Sequence, residues 1–166
     1  ERSRPRAFVY RIPLDGGRPS AVQAAGHPID QFSFHPDAAR SALHVLIGGS
    51  GGDAMWNTEV TTGRSFALVS IPMASFGDGS GAVPRDRYAP LPRPTGDSYS
   101  VHNRFVGDHL LYATGSGDRP GEVTVVALAD RSAVWLPLSH GVDRIDAIGA
   151  DAVVLGTGRG FLGFTP

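Results

Sequence analysis

The chain is 166 residues long, 41% hydrophobic and 19% charged, and its 22 Gly and 13 Pro interrupt the backbone too often for a helical bundle. A formal charge of -1 and a pI near 6.7 give no overall pull toward nucleic-acid phosphates, and the absence of Cys excludes disulfides, thiolate metal sites and a Cys nucleophile. No apolar run approaches the roughly 20 residues of a membrane-spanning helix, so neither nucleic acid nor a membrane span is expected.

In chain order, short runs rich in Val, Ile, Leu, Phe and Tyr alternate with Gly, Asp and Pro clusters, which is the signature of strands and turns. Strands are expected over 7–14, 20–25, 29–34, 42–47, 66–71, 101–106, 109–114, 122–128, 133–138, 142–148, 152–156 and 161–165, with a further one at 88–91. Helical spacing is never sustained, and 20–25 and 37–43 are the only segments with room for one turn. The fold class is all-β. The 15 basic residues are all Arg, which reflects base composition, and the opening Glu1-Arg2-Ser3 without an initiator Met reads as a processed or excised form.

An internal repeat refines this reading. The segment from Phe105 to Gly115, Phe105-Val106-Gly107-Asp108-His109-Leu110-Leu111-Tyr112-Ala113-Thr114-Gly115, aligns with the segment from Ala147 to Gly158 if Ala150 is taken as an insertion. A looser copy runs from Ile29 to Phe34 and from Leu43 to Gly48. Units of about four antiparallel strands are the arithmetic of β-propeller blades. The division is a partial blade 7–25, a blade 29–94 with a long exposed loop 77–94, a blade 99–138 and a partial blade 142–165. Three to four blades fall short of a closed ring, so this is read as a segment whose remaining blades, or a partner chain, complete it. An up-and-down barrel or a two-sheet sandwich is the alternative.

Two stretches, Gly26-His27-Pro28-Ile29-Asp30-Gln31-Phe32-Ser33-Phe34 and Val142-Asp143-Arg144-Ile145-Asp146-Ala147-Ile148, resemble the blade openings of a secreted bacterial β-propeller domain family. The resemblance implies a secreted or cell-envelope propeller. It brings no catalytic residues, and the 77–94 loop departs from a compact blade.

A propeller binds ligands where its inner strands open onto the channel mouth. That face would gather His27, Asp30 and Gln31, then His102, Asn103 and Arg104, then His140, Asp143 and Arg144. A divalent metal held by His27, His102 and His140, oriented by Asp30 or Asp143, is the sharpest reading; solvated imidazoles bonded to nearby backbone are the plainer one. No cofactor is otherwise implied. Trp56, beyond the Gly48–Gly52 run, is a candidate to stack on a sugar or anchor a partner, against the alternative that it folds over its own sheet.

Other motifs carry less. Gly48-Gly49-Ser50-Gly51-Gly52 has the letters of a nucleophile elbow and of a phosphate loop, but no helix signal follows. Asp78-Gly79-Ser80-Gly81 lacks the alternating acids of a calcium loop and reads as a turn. Arg85, Arg87 and Arg93 make the long loop locally basic. The carboxylates available for paired acid-base work are Asp30, Glu59, Asp143 and Asp146. The leading functional expectation is a module that binds a protein or glycan. The alternatives are a hydrolase or metal-dependent enzyme with its site at the channel mouth, and an architectural piece of a larger assembly.

Overall fold

A computed structural model of the chain describes residues 7–49, 54–56, 65–94, 100–158 and 161–165. The fold is all-β: among the described residues the only helical turns are single 3-10 turns at Met73–Ser75 and Arg85–Arg87. Two compact units, Glu1–Leu91 and Pro92–Pro166, divide the chain.

The first unit holds β1 (Ala7–Arg11), β2 (Ser20–Ala24), β3 (His27–Pro28), β4 (Phe34–Asp37), β5 (Ala42–Gly49), β6 (Ser65–Pro72), β7 (Asp78–Ala82) and β8 (Tyr88–Leu91). One sheet is ordered β1-β2-β7 and the other β3-β5-β6-β8, with β4 also on β5. Val22, Ala24 and Ala25 pack against Val45, Ile47, Ala67, Val69 and Ile71, so apolar faces of the two sheets meet. Leu46 and Leu68 point to the opposite face and are equally buried. This two-sided burial explains why β5 and β6 read as near-continuous apolar runs.

The expected strand at 20–25 is β2, and neither it nor 37–43, which is the end of β4, a turn and the start of β5, takes the helical turn it had room for, because both pair along their backbones. Two expectations are corrected in this unit. The expected strand 29–34 is broken. Pro28 has no N–H for the ladder, and the side chains of Asp30 and Ser33 compete for the backbone: Phe32 N–H donates to Asp30 Oδ1 at 2.7 Å and Asp30 N–H to Ser33 Oγ at 3.0 Å. Pairing with β5 resumes through Leu46 N–H to Ser33 O at 2.9 Å. Nor is 77–94 a simple exposed loop. Its β7 lies parallel to β2, its Val83, Tyr88, Ala89 and Leu91 are buried, and its β8 pairs with β6. The Asp78 segment is thus strand rather than free turn.

The second unit holds a four-stranded antiparallel meander, β9 (Val101–Val106), β10 (His109–Thr114), β11 (Glu122–Ala127) and β12 (Ala133–Pro137). A three-stranded meander follows, β13 (Arg144–Ile148), β14 (Asp151–Gly158) and β15 (Phe161–Thr165). Among the described residues β12 pairs only with β11, as Pro137 requires of an edge strand. Leu111, Ala113 and Val123 of the first meander share a core with Val142, Ile145 and Val154 of the second. Along the expected strands Val45, Ile47, Leu68, Val69, Leu111 and Val153 are buried, and Val125 and Leu155 are half-buried.

The repeat needs no insertion. Val106 faces His109 and Ile148 faces Asp151, so Gly107-Asp108 and Gly149-Ala150 are equivalent two-residue turns. With that register Arg104 corresponds to Asp146, on the first strand of each meander.

Candidate functional site

The second unit brings those two equivalent residues together. Strands β9 and β13 run side by side without a hydrogen-bonded ladder between them. Arg104 bridges them, donating through Nη2 to Asp146 Oδ1 at 2.7 Å and through Nε to the Ile145 carbonyl at 3.3 Å. Arg144 takes the other carboxylate oxygen, its Nε lying 3.0 Å from Asp146 Oδ2. The bond from Arg144, the Ala147 backbone N–H and the two nearby positive charges hold the Asp146 carboxyl below its ordinary range. Arg104 is largely covered, whereas 64% of the Arg144 side chain remains exposed.

Of the other expected site residues, Asp143 is exposed and accepts from Thr157 Oγ1 at 3.1 Å. His102 is half-buried on β9. His140 is turned inward, with Nδ1 2.7 Å from the Gly141 carbonyl, which fixes the proton on that nitrogen. His27, exposed on β3, belongs to the first unit, and Asp30 serves the break between β3 and β4. Among the described residues no three His, Asp or Glu side chains gather as a metal would require.

Trp56 is a core residue, not a presented ring. It is 5% exposed, donates from Nε1 to Ser65 Oγ at 2.9 Å and stacks on Tyr88. The rest of the Gly48–Gly63 loop lies outside the described residues save for Gly48, Gly49, Ala54 and Met55, as do Glu59, Arg159 and Gly160.

A second polar group, absent from the sequence reading, sits on one face of the first unit. Asp37 on β4, His44 on β5 and Ser70 on β6 form a line: Asp37 Oδ2 is 3.3 Å from His44 Nε2, and His44 Nδ1 is 3.0 Å from Ser70 Oγ. Strand register produces it, because His35 and Ser70 both lie opposite His44 and side chains two residues apart share a face. The turn into β5 carries Ser41 at φ 48° and returns Arg40 onto Asp37. Arg40 Nη1 reaches Oδ2 at 2.7 Å and its backbone N–H reaches Oδ1 at 2.9 Å. These two bonds hold the Asp37 carboxyl far below the usual carboxylate range. Burial pushes the His44 imidazole below its usual value, against the opposing pull of Asp37.

The protonation pattern follows. An ionised Asp37 only accepts, so neutral His44 carries its proton on Nε2 and donates to it, leaving Nδ1 to accept from the Ser70 hydroxyl. The register of β5 and β6 could have revealed this pair; the Asp37 contact required knowing where the turn placed the carboxylate.

Comparison with protein-family models, curated proteins and solved structures gives no match to this chain.

Proposed function

We propose that the chain is a β-propeller segment acting as a binding module, whose ligand is a polar, anion-bearing partner met at the leading strands of consecutive blades. One observation carries this reading. Arg104 and Asp146, 42 residues apart and equivalent in the repeat, touch across β9 and β13. In a propeller, equivalent positions of neighbouring inner strands meet around one axis, while the blades behind them pack face to face. The shared core of the two meanders fits the same arrangement.

The chemistry of the mouth narrows the ligand. With Trp56 in the core, recognition there falls to charged and hydrogen-bonding groups. Arg144 spends its Nε and Nη2 edge on Asp146 but remains 64% exposed, leaving the rest of its guanidinium to meet a carboxylate or sulfate, and Arg104 with Asp146 holds it in place. An acidic protein segment and an acidic glycan share that chemistry.

Titration of the full chain with a fluorescent heparin oligosaccharide and, separately, with a poly-glutamate peptide tests the proposal and distinguishes the two sources. Binding of either, lost in Arg144→Glu and weakened by salt, is the expected result. Failure of a folded chain to bind both probes would overturn the reading.

A further inference from the structure

The Asp37–His44–Ser70 line has the parts of an activated hydroxyl, and nothing in the binding reading uses it. We propose that Ser70 is a nucleophile that accepts acyl groups from small esters, with His44 as its general base and Asp37 as the positioning residue.

Three observations support this. The order of groups is carboxylate, imidazole, hydroxyl, each within or near hydrogen-bond distance of the next. The imidazole nitrogen facing Ser70 is the unprotonated one, since the other must donate to Asp37. Exposure is graded along the line: Asp37 and His44 are buried while Ser70 is only half-buried, so the hydroxyl is the member a substrate can reach. The presentation differs from the usual serine triad in one respect: here Nδ1, not Nε2, faces the hydroxyl.

The reaction proceeds in two balanced halves. Ser70 Oγ bonds to the ester carbonyl carbon as its proton passes to His44 Nδ1; the ester C–O bond then breaks and the departing alkoxide takes that proton as an alcohol. Water, deprotonated by His44, next attacks the acyl carbon, and the carboxylic acid leaves as Ser70 recovers its proton. Asp37 stays ionised throughout and keeps the Nε2 proton in place. The charged and titratable groups around His44 are Asp37, Arg40 and His35, whose ring lies 6.3 Å away at 19° to that of His44.

The test is covalent labelling of the full chain with a fluorophosphonate probe, which reports a reactive serine, with the adduct located by peptide mass spectrometry. The expected result is a single adduct on Ser70, absent in Ser70→Ala and formed about 100-fold more slowly in His44→Gln, the lower end of what a general base contributes. Labelling of the unmodified chain should also rise as pH is raised toward about 6.5 from the acid side and level off above it, because burial makes His44 lose its proton below the ordinary histidine value. That measurement decides the matter should His44→Gln not fold. An unlabelled Ser70 in the folded chain, a folded His44→Gln labelled at the wild-type rate, or a flat pH profile would each overturn the proposal. None of these outcomes bears on heparin or peptide binding at Arg144, so the two readings fail independently.

Discussion

Trp56 and Tyr88 lie ring over ring, their planes 4° apart and their centroids 5.8 Å apart, and each polar tip is engaged. Trp56 Nε1 donates to Ser65 Oγ at 2.9 Å, and Tyr88 Oη accepts the Ala25 backbone N–H at 2.9 Å. The pair therefore ties the end of β2, the start of β6 and β8 into one core. Gly26 completes the fit: a methyl group there would lie 2.7 Å from Trp56 Cη2, at a backbone φ of 70° that other residues rarely adopt. Trp56→Ala is expected to cost about 3 to 5 kcal/mol, the usual range for emptying a buried aromatic site. Urea unfolding followed by circular dichroism measures it. A loss under about 1 kcal/mol would mean that the ring is not packed as described.

The chain has two Trp, and their surroundings differ sharply. Trp135 stands on edge strand β12 beside Val134 and Leu136, each about half exposed, at 50%, 55% and 49% respectively. Trp56→Phe should leave a fluorescence spectrum typical of a wet indole and readily quenched by acrylamide. Trp135→Ser should leave a blue-shifted, protected emission and change stability by no more than about 0.5 kcal/mol, as for surface substitutions elsewhere. Equal quenching of the two variants would contradict this assignment.

Acid should weaken the first unit in two stages. His44 has a folded-state pKa below its usual value, so on acidification the unfolded chain takes up that proton first. Stability is then fully present above the ordinary histidine range and declines as pH falls through about 6.5 toward the folded value. Asp37 is also depressed in the folded state, so its contribution is present above the ordinary carboxylate range and is lost below about pH 3.9. Urea midpoints collected across this span should show both declines, and His44→Gln should remove the upper one alone. An upper decline of the same size in the folded variant would assign it to other groups.

What the sequence made legible follows from which signals are local. Alternating and continuous apolar runs are local, so 101–106, 109–114 and 122–128 correspond closely to β9, β10 and β11. The break at 29–33 was hidden because Ile29, Phe32 and Phe34 suit a strand, while the side-chain bonds of Asp30 and Ser33 that divert the backbone carry no periodic signal. Strand β7 was hidden for the opposite reason. Asp78-Gly79-Ser80-Gly81-Ala82 has almost no strand propensity and is held by its neighbour β2, with Gln23 Nε2 donating to the Gly79 carbonyl at 2.8 Å. At the candidate sites Arg104 and Arg144 were found from their position near the start of expected inner strands. Asp146, which organises both, was noticed only as one of several carboxylates. The alignment of Asp37, His44 and Ser70 depends on register between strands far apart in sequence, which no single stretch displays.

The tightest backbone approach among the described residues of the second unit supplies the last prediction. A methyl group on Gly156 would fall 1.6 Å from the Gly141 carbonyl oxygen, and one on Gly141 would fall 1.8 Å from the Gly117 carbonyl oxygen. Both obstacles are backbone, held in place by Gly141 N–H to Thr157 O at 2.9 Å and Gly121 N–H to His140 O at 2.9 Å. No side chain can swing aside to relieve the contact. Gly156→Ala must therefore separate β14 from the segment that leads into β13, and Gly141→Ala must separate that segment from the loop between β10 and β11, each at a cost of about 3 kcal/mol or more, the upper end for overpacked sites. Gly77→Ala is the matched control, since its methyl group meets nothing within 4 Å, and should stay within about 0.5 kcal/mol of the parent chain. Hydrogen exchange resolved by peptide gives the location as well as the size of the effect. Faster exchange confined to β13 and β14 in Gly156→Ala, and to the segment before β13 and the β10–β11 loop in Gly141→Ala, is the expected outcome. Parent-like protection in Gly156→Ala would show that the Gly141 carbonyl does not lie against β14, and the face-to-face packing of the two meanders would then have to be redrawn.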